Sequence, residues 1–184
     1  MRLRRLDMPK KTGKGLLERA PHIVRRKSID PEGADPYLNK DAPDDMALCR
    51  RCGAVYHEKR WYKREDLPDK LAGSPNSALV FCPGCQKVRD KYAEGYLSIE
   101  GQFVEEHGDE IMNVIENKES LQSYINPLEQ IVEIKRFDGR IEVQTTTEKL
   151  AQRIGQILQK AFSGELVYKW SRDKSLARII WTRD

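Results

Sequence analysis

Four cysteines fall in two C-x-x-C pairs, Cys49-Arg-Arg-Cys52 and Cys82-Pro-Gly-Cys85, with 29 residues between them. A C-x-x-C turn aims two thiolates at one point, and two such knuckles complete a tetrahedral four-sulfur site. Gly53, directly after the first pair, lets the backbone curl so that N–H groups face the sulfurs, and Gly84 serves similarly inside the second. The gap exceeds the usual ~15–20 residues, so a ribbon with an insertion is expected. Cys49, Cys52, Cys82 and Cys85 are the predicted ligands of one structural Zn2+. Four protein ligands leave no open position, so such an ion stabilises the fold and does not activate water. Three alternatives compete. An iron–sulfur centre also takes four thiolates. A redox dithiol normally opens a helix in an α/β unit that this pattern lacks. Disulfides belong to oxidising compartments. His57 lies five residues past Cys52, too far for the knuckle turn.

The compartment follows from what the rest of the chain lacks. Its 184 residues are 39% hydrophobic, below the usual ~45–50%, so part of the chain is expected to lie outside any core. No apolar run approaches the ~20 residues of a membrane span. The basic N-terminus has no apolar stretch behind it, unlike a secretory signal. A cytoplasmic protein with no membrane partner is the expectation.

Charge divides the chain unevenly. Residues 1–30 carry ten Lys/Arg and three Asp/Glu, and residues 31–45 one Lys and five acids. Residues 46–92 carry ten basic and five acidic residues, whereas 93–184 carry twelve and sixteen. The net +4 therefore hides a basic N-terminal half, which points to a polyanionic partner.

Three segments follow. Residues 1–45 are interrupted by Pro9, Pro21, Pro31, Pro36 and Pro43 and hold too few apolar residues to offset ordering entropy; they read as a basic arm, disordered in isolation. Residues 46–92 form the zinc ribbon, its insert holding a short basic–aromatic helix or strand and a turn near Ala72–Asn76. Residues 93–184 read as an α+β sandwich. Helical spacing of apolar residues predicts a helix over 103–125, closed by Pro127. Two alternating runs, Ile131–Phe137 and Arg140–Thr145, flank Asp138-Gly139, a hairpin turn. Thr145 with Glu148 matches a helix-capping box. A helix with Leu150, Ile154, Ile157, Leu158 and Phe162 on one face follows, stopped at Gly164. Leu166, Tyr168 and Trp170 then mark a third strand, and Ile179 and Trp181 a fourth. The prediction is ββαββ after a helix: a mostly antiparallel sheet covered on one side by helices.

Between the knuckles runs Tyr56–Arg64, in which Lys59, Arg60, Lys63 and Arg64 can neutralise phosphates and Trp61 and Tyr62 can stack on bases or pack beneath the ribbon. Charge with stacking is how looped or single-stranded RNA is held. Arg50 and Arg51 extend this surface, and Arg25, Arg26 and Lys27 are the arm's candidates for RNA contact. DNA is served equally by charge alone. No phosphate-loop, dinucleotide, zinc-protease or nucleophile-elbow motif is present, and no small-molecule substrate is expected.

Cys-x-x-Cys-Gly-Ala-Val-Tyr at 49–56, Arg60-Trp61, Cys-Pro-x-Cys at 82–85 and Arg89–Leu97 resemble a bacterial family of small zinc-ribbon proteins. Thr145–Gly155 and the terminal Trp181-Thr-Arg-Asp are similar to that family too. At the ribbon its members resemble the Nmd-type export adaptors of the large ribosomal subunit, which carry more C-x-x-C pairs and further domains. The resemblance spans roughly residues 46–184. It implies zinc and association with the ribosome or RNA, and no activity. The expected function is that of a non-enzymatic, zinc-stabilised RNA-binding protein on the ribosome, in assembly, hibernation or translational quality control, with ribosomal RNA and ribosomal proteins as partners. A DNA-binding, transcription-associated ribbon and a protein-interaction module whose sheet pairs with a partner chain are the rival readings.

Overall fold

The computed structural model describes residues 35–37, 46–63, 78–170 and 176–184. Apart from Asp35–Tyr37, the arm lies outside them, and so do Arg25, Arg26, Lys27, Arg64 and the turn near residues 72–76.

The ribbon is built on four short strands, β1 (Ala47–Cys49), β2 (Val55–His57), β3 (Arg60–Tyr62) and β4 (Ala78–Val80), in the order β3-β2-β1-β4. β1 pairs antiparallel with β2 and parallel with β4, so the two cysteine-bearing segments run side by side. The basic–aromatic strip is a hairpin: Tyr56 faces Trp61 and His57 faces Arg60, with Glu58 and Lys59 at positive φ in the turn. Two consecutive positive-φ residues match the right-handed twist of the flanking strands. Helix α1 (Pro83–Arg89) follows β4, with proline in its first turn and Cys82 as its cap.

The second unit is a five-stranded sheet in the order β6-β7-β5-β9-β8, formed by β5 (Gly95–Glu100), β6 (Ile131–Phe137), β7 (Arg140–Thr145), β8 (Glu165–Trp170) and β9 (Ala177–Thr182). Helices α2 (Gln102–Ile125) and α3 (Glu148–Phe162) cover one face. Leu97, Ile99, Ile141, Val143, Ile179 and Trp181 alternate inward from the strands to meet Ile111 and Ile115 of α2 and Leu150, Ile154 and Leu158 of α3. The α+β class, both predicted helices, the Asp138-Gly139 hairpin and the four C-terminal strands are all present.

Three expectations change. The sheet has a fifth strand, β5, and it is central, paired antiparallel with β7 and parallel with β9. Its alternating pattern, Gly-Tyr-Leu-Ser-Ile-Glu, is a half-buried strand's. The cap of α3 is Thr147, whose hydroxyl accepts from the Leu150 N–H at 3.3 Å. Thr145, the expected cap, ends β7 instead; it is fully buried and its hydroxyl donates to Thr147 O at 2.7 Å. Leu121 and Ile125 are 66% and 75% exposed. α2 is kinked at His107, whose φ of −120° is non-helical. In its last turns the polar Gln122 is the buried residue while Leu121 and Ile125 face outward, so helical spacing of apolar residues does not by itself fix which side is covered there.

Candidate metal centre

Cys49 ends β1, and the chain then folds back on itself. Gly53 N–H donates to Cys49 O at 3.0 Å and Cys49 N–H to Ala54 O at 2.7 Å, with Gly53 at φ +72°. This knuckle brings Cys52 beside Cys49. Cys82 caps α1, its sulfur accepting from the Cys85 N–H at 3.4 Å, while the Cys82 N–H points at Cys49 Sγ at 3.3 Å. Gly84 is required by close approach: a Cβ there would stand 2.8 Å from Leu128 O.

The result is one cluster. The four sulfurs all lie within 4.8 Å of one another, and Cys49, Cys82 and Cys85 are buried. All four are free thiols. Cys52 and Cys82 sulfurs are 3.7 Å apart, far beyond the ~2.05 Å of a disulfide. It is close to the ~3.8 Å edge of a tetrahedron whose metal–sulfur bonds are ~2.3 Å. The donor set is thus arranged to hold one metal ion. Hydrogen bonds from Cys52, then Cys82 and Cys85, hold the Cys49 thiol well below the ordinary range, and the thiolate at Cys49 in turn pushes Cys82 up. Thiols this close cannot all ionise together unless a cation lies among them. His57 stands apart from the group, its ring nitrogen 3.8 Å from Glu58.

The centre is backed by the sheet unit. The Gln130 side-chain N–H lies 3.5 Å from Cys85 Sγ and donates to Pro127 O at 2.7 Å. The segment Asn126–Gln130 is held from several sides. Leu128 N–H donates to Asn126 Oδ1 at 3.2 Å, buried Glu129 pairs with Arg153 of α3, and Gln130 N–H donates to Thr146 Oγ1 at 2.9 Å. Next to it, Lys87 of α1 is buried. Its ammonium binds Asp35, Glu94 Oε1 at 2.9 Å and Thr146 O at 3.1 Å. Burial pushes the Glu94 carboxyl up, against the pull of Lys87.

Five of the basic candidates lie among the described residues. Arg50, Arg51, Lys59 and Arg60 are exposed and Lys63 half-exposed, and none has a carboxylate partner among the described residues. Arg50 donates to Leu79 O at 2.8 Å, and Arg50 and Arg89 lie 5.3 and 5.5 Å from the Phe81 ring. Trp61 is half-buried, tilted against Tyr56 at 5.3 Å and packed on the cysteine cluster, so most of its ring supports the ribbon. Gln130, Thr146, Lys87 and Asp35 were not among the sequence candidates. Nothing local marks them, since Gln130 lies 45 residues beyond Cys85.

Among the described residues no helix is long and apolar enough to cross a membrane. Comparison with protein-family models, with curated proteins and with solved structures finds no match.

Proposed function

We propose that this protein is a non-enzymatic RNA-binding protein, stabilised by one structural Zn2+ on Cys49, Cys52, Cys82 and Cys85, that associates with the ribosome. The observation that carries the reading is the β2–β3 hairpin. Trp61 packs it on the cysteine cluster, Lys59 and Arg60 are exposed at its turn with half-exposed Lys63 following, and none is paired with a described acid. Cations not held by the described acids neutralise phosphates without first breaking those ion pairs. Arg50 and Arg51 add two exposed cations within the first knuckle.

Zinc is favoured by the chemistry of the donors. Four cysteine sulfurs within 4.8 Å of one another suit a closed structural zinc site. The ribosome reading rests on the motif resemblance at residues 49–56, 82–97 and 145–155, together with the basic composition of residues 1–30.

The test is sedimentation of the tagged chain through a sucrose gradient of its own cell lysate, at low and high salt. Co-migration with one ribosomal particle at low salt, lost at high salt, is the expected result. Migration only at the top of the gradient at both salt concentrations would remove the ribosome from the reading.

A further inference from the structure

We propose that Gln130, contributed by the sheet unit, is part of the metal centre, and that metal loading and the seating of the ribbon on the sheet are one event. The proposal rests on metal binding by the four cysteines.

Its first support is the hydrogen bond from Gln130 to Cys85. Both amide atoms of Gln130 face the Cys85 sulfur: its N–H donates to Sγ at 3.5 Å, and a protonated thiol donates back to Oε1 at 3.8 Å. A metal-bound thiolate only accepts hydrogen bonds, so metal loading keeps the first contact and removes the second. The amide is not free to turn, because its N–H also donates to Pro127 O at 2.7 Å. Groups that hydrogen-bond to ligating atoms orient them and raise metal affinity.

The second support is what Gln130 is tied to. Its backbone N–H donates to Thr146 Oγ1 at 2.9 Å, and its carbonyl accepts the Thr146 N–H at 2.9 Å. The Thr146 carbonyl accepts from Lys87 Nζ at 3.1 Å. Lys87 lies two residues past Cys85, on α1, so the path runs from one ligand through the sheet and back to the ligand's own helix. The same ammonium binds Asp35 and Glu94, and the neighbouring Tyr37 hydroxyl donates to Asp90 at 3.2 Å. Three stretches distant in sequence, 35–37, 85–94 and 128–146, meet on this line. Leu128 O, seated against Gly84 and accepting from Thr146 Oγ1 at 2.7 Å, closes it from the ribbon side. Small displacements of Cys85 on metal loss thus reach Gln130 and Thr146 directly.

The consequence is that the metal sets where the basic hairpin stands relative to the sheet. Binding energy at the four sulfurs becomes docking energy at the junction, as metal binding generally becomes folding energy.

Two measurements on the full-length chain decide it. Zinc affinity is read by competition with a chromogenic chelator for the wild type, Gln130→Leu and Gln130→Glu. The glutamate variant keeps the side-chain length and an acceptor but has no N–H to give. Both variants are expected to bind zinc about tenfold more weakly. Amide exchange is then compared for the zinc-loaded and chelator-treated wild type. Zinc removal is expected to speed exchange at Gln130 and Thr146 while Leu97 and Ile99 stay protected. Affinities within twofold of wild type in both variants, or exchange at Thr146 indifferent to zinc, would overturn the proposal. If Gln130→Leu fails to fold, Gln130→Glu and the wild-type exchange still decide. A wild-type chain that binds no zinc overturns the metal reading itself.

Discussion

Lys87 Nζ stands 2.9 Å from Glu94 Oε1, on a side chain only 3% exposed, with the rings of Tyr37 and Tyr92 about it at 6.0 and 5.8 Å. The ammonium joins the ribbon helix to the entry of the central strand. Removing one member of a buried charge group leaves the others uncompensated and costs about 3–5 kcal/mol. Lys87→Met is therefore expected to destabilise the chain by roughly that much in urea unfolding. The triple variant Lys87→Met, Glu94→Gln, Asp35→Asn is expected to recover part of the loss. A triple variant no more stable than the single one would mean that the charges are not what Lys87 answers.

Loss of metal is expected to act locally. Cys82→Ser or prolonged chelation should speed amide exchange through residues 46–63 and 78–90. Besides the cysteines, the ribbon's own buried apolar residues are Ala47, Ala54, Val55 and Tyr56, with half-buried Trp61 and Phe81 beside them, too little to stand alone. The sheet's core strands should keep their protection. Unchanged exchange across the ribbon after metal is shown to have left would contradict this.

The cap of α3 gives a sharper test. Thr147→Ala removes the acceptor for the Leu150 N–H and is expected to cost about 1 kcal/mol. Thr147→Ser should restore most of it. Thermal or urea denaturation of the three chains reads the difference directly.

The hairpin cations should show themselves in salt dependence. Single-stranded RNA binding has a slope of about −0.7 in log K against log salt for each phosphate neutralised. Replacing Lys59, Arg60 and Lys63 together with Gln should flatten that slope by up to about 2. An unaltered slope would remove the hairpin from the RNA reading.

The contrast between Thr145 and Thr147 shows how far local pattern reaches. Both sit near Glu148, and spacing alone favours Thr145. β7 runs through Thr145, paired with Gly95, so that residue is extended and buried, and the helix starts two residues later. Strand β5 was missed, although at six residues it is as long as β7, β8 and β9, which were found; no hairpin turn or cap signal flanks it, and its partners β7 and β9 lie far along the chain. The four-cysteine group was legible in full because thiolate chemistry leaves few uses for two C-x-x-C pairs. Gln130, Thr146, Lys87 and Asp35 were not legible, because a polar side chain is buried only where partners from elsewhere in the chain answer it.

The sequence alone determined the four-cysteine group, the α+β class, two of the helices and the hairpin at Asp138-Gly139. Each of these depends on residues close in the chain or on a chemistry with one common use. Tertiary structure alone decided that β5 is the central strand, that Trp61 backs the cysteines, that the end of α2 buries Gln122 and leaves Leu121 and Ile125 outside, and that Lys87 is buried. Those outcomes depend on which distant segments meet, because strand order, burial and ion pairing are set by contacts whose partners lie tens of residues apart.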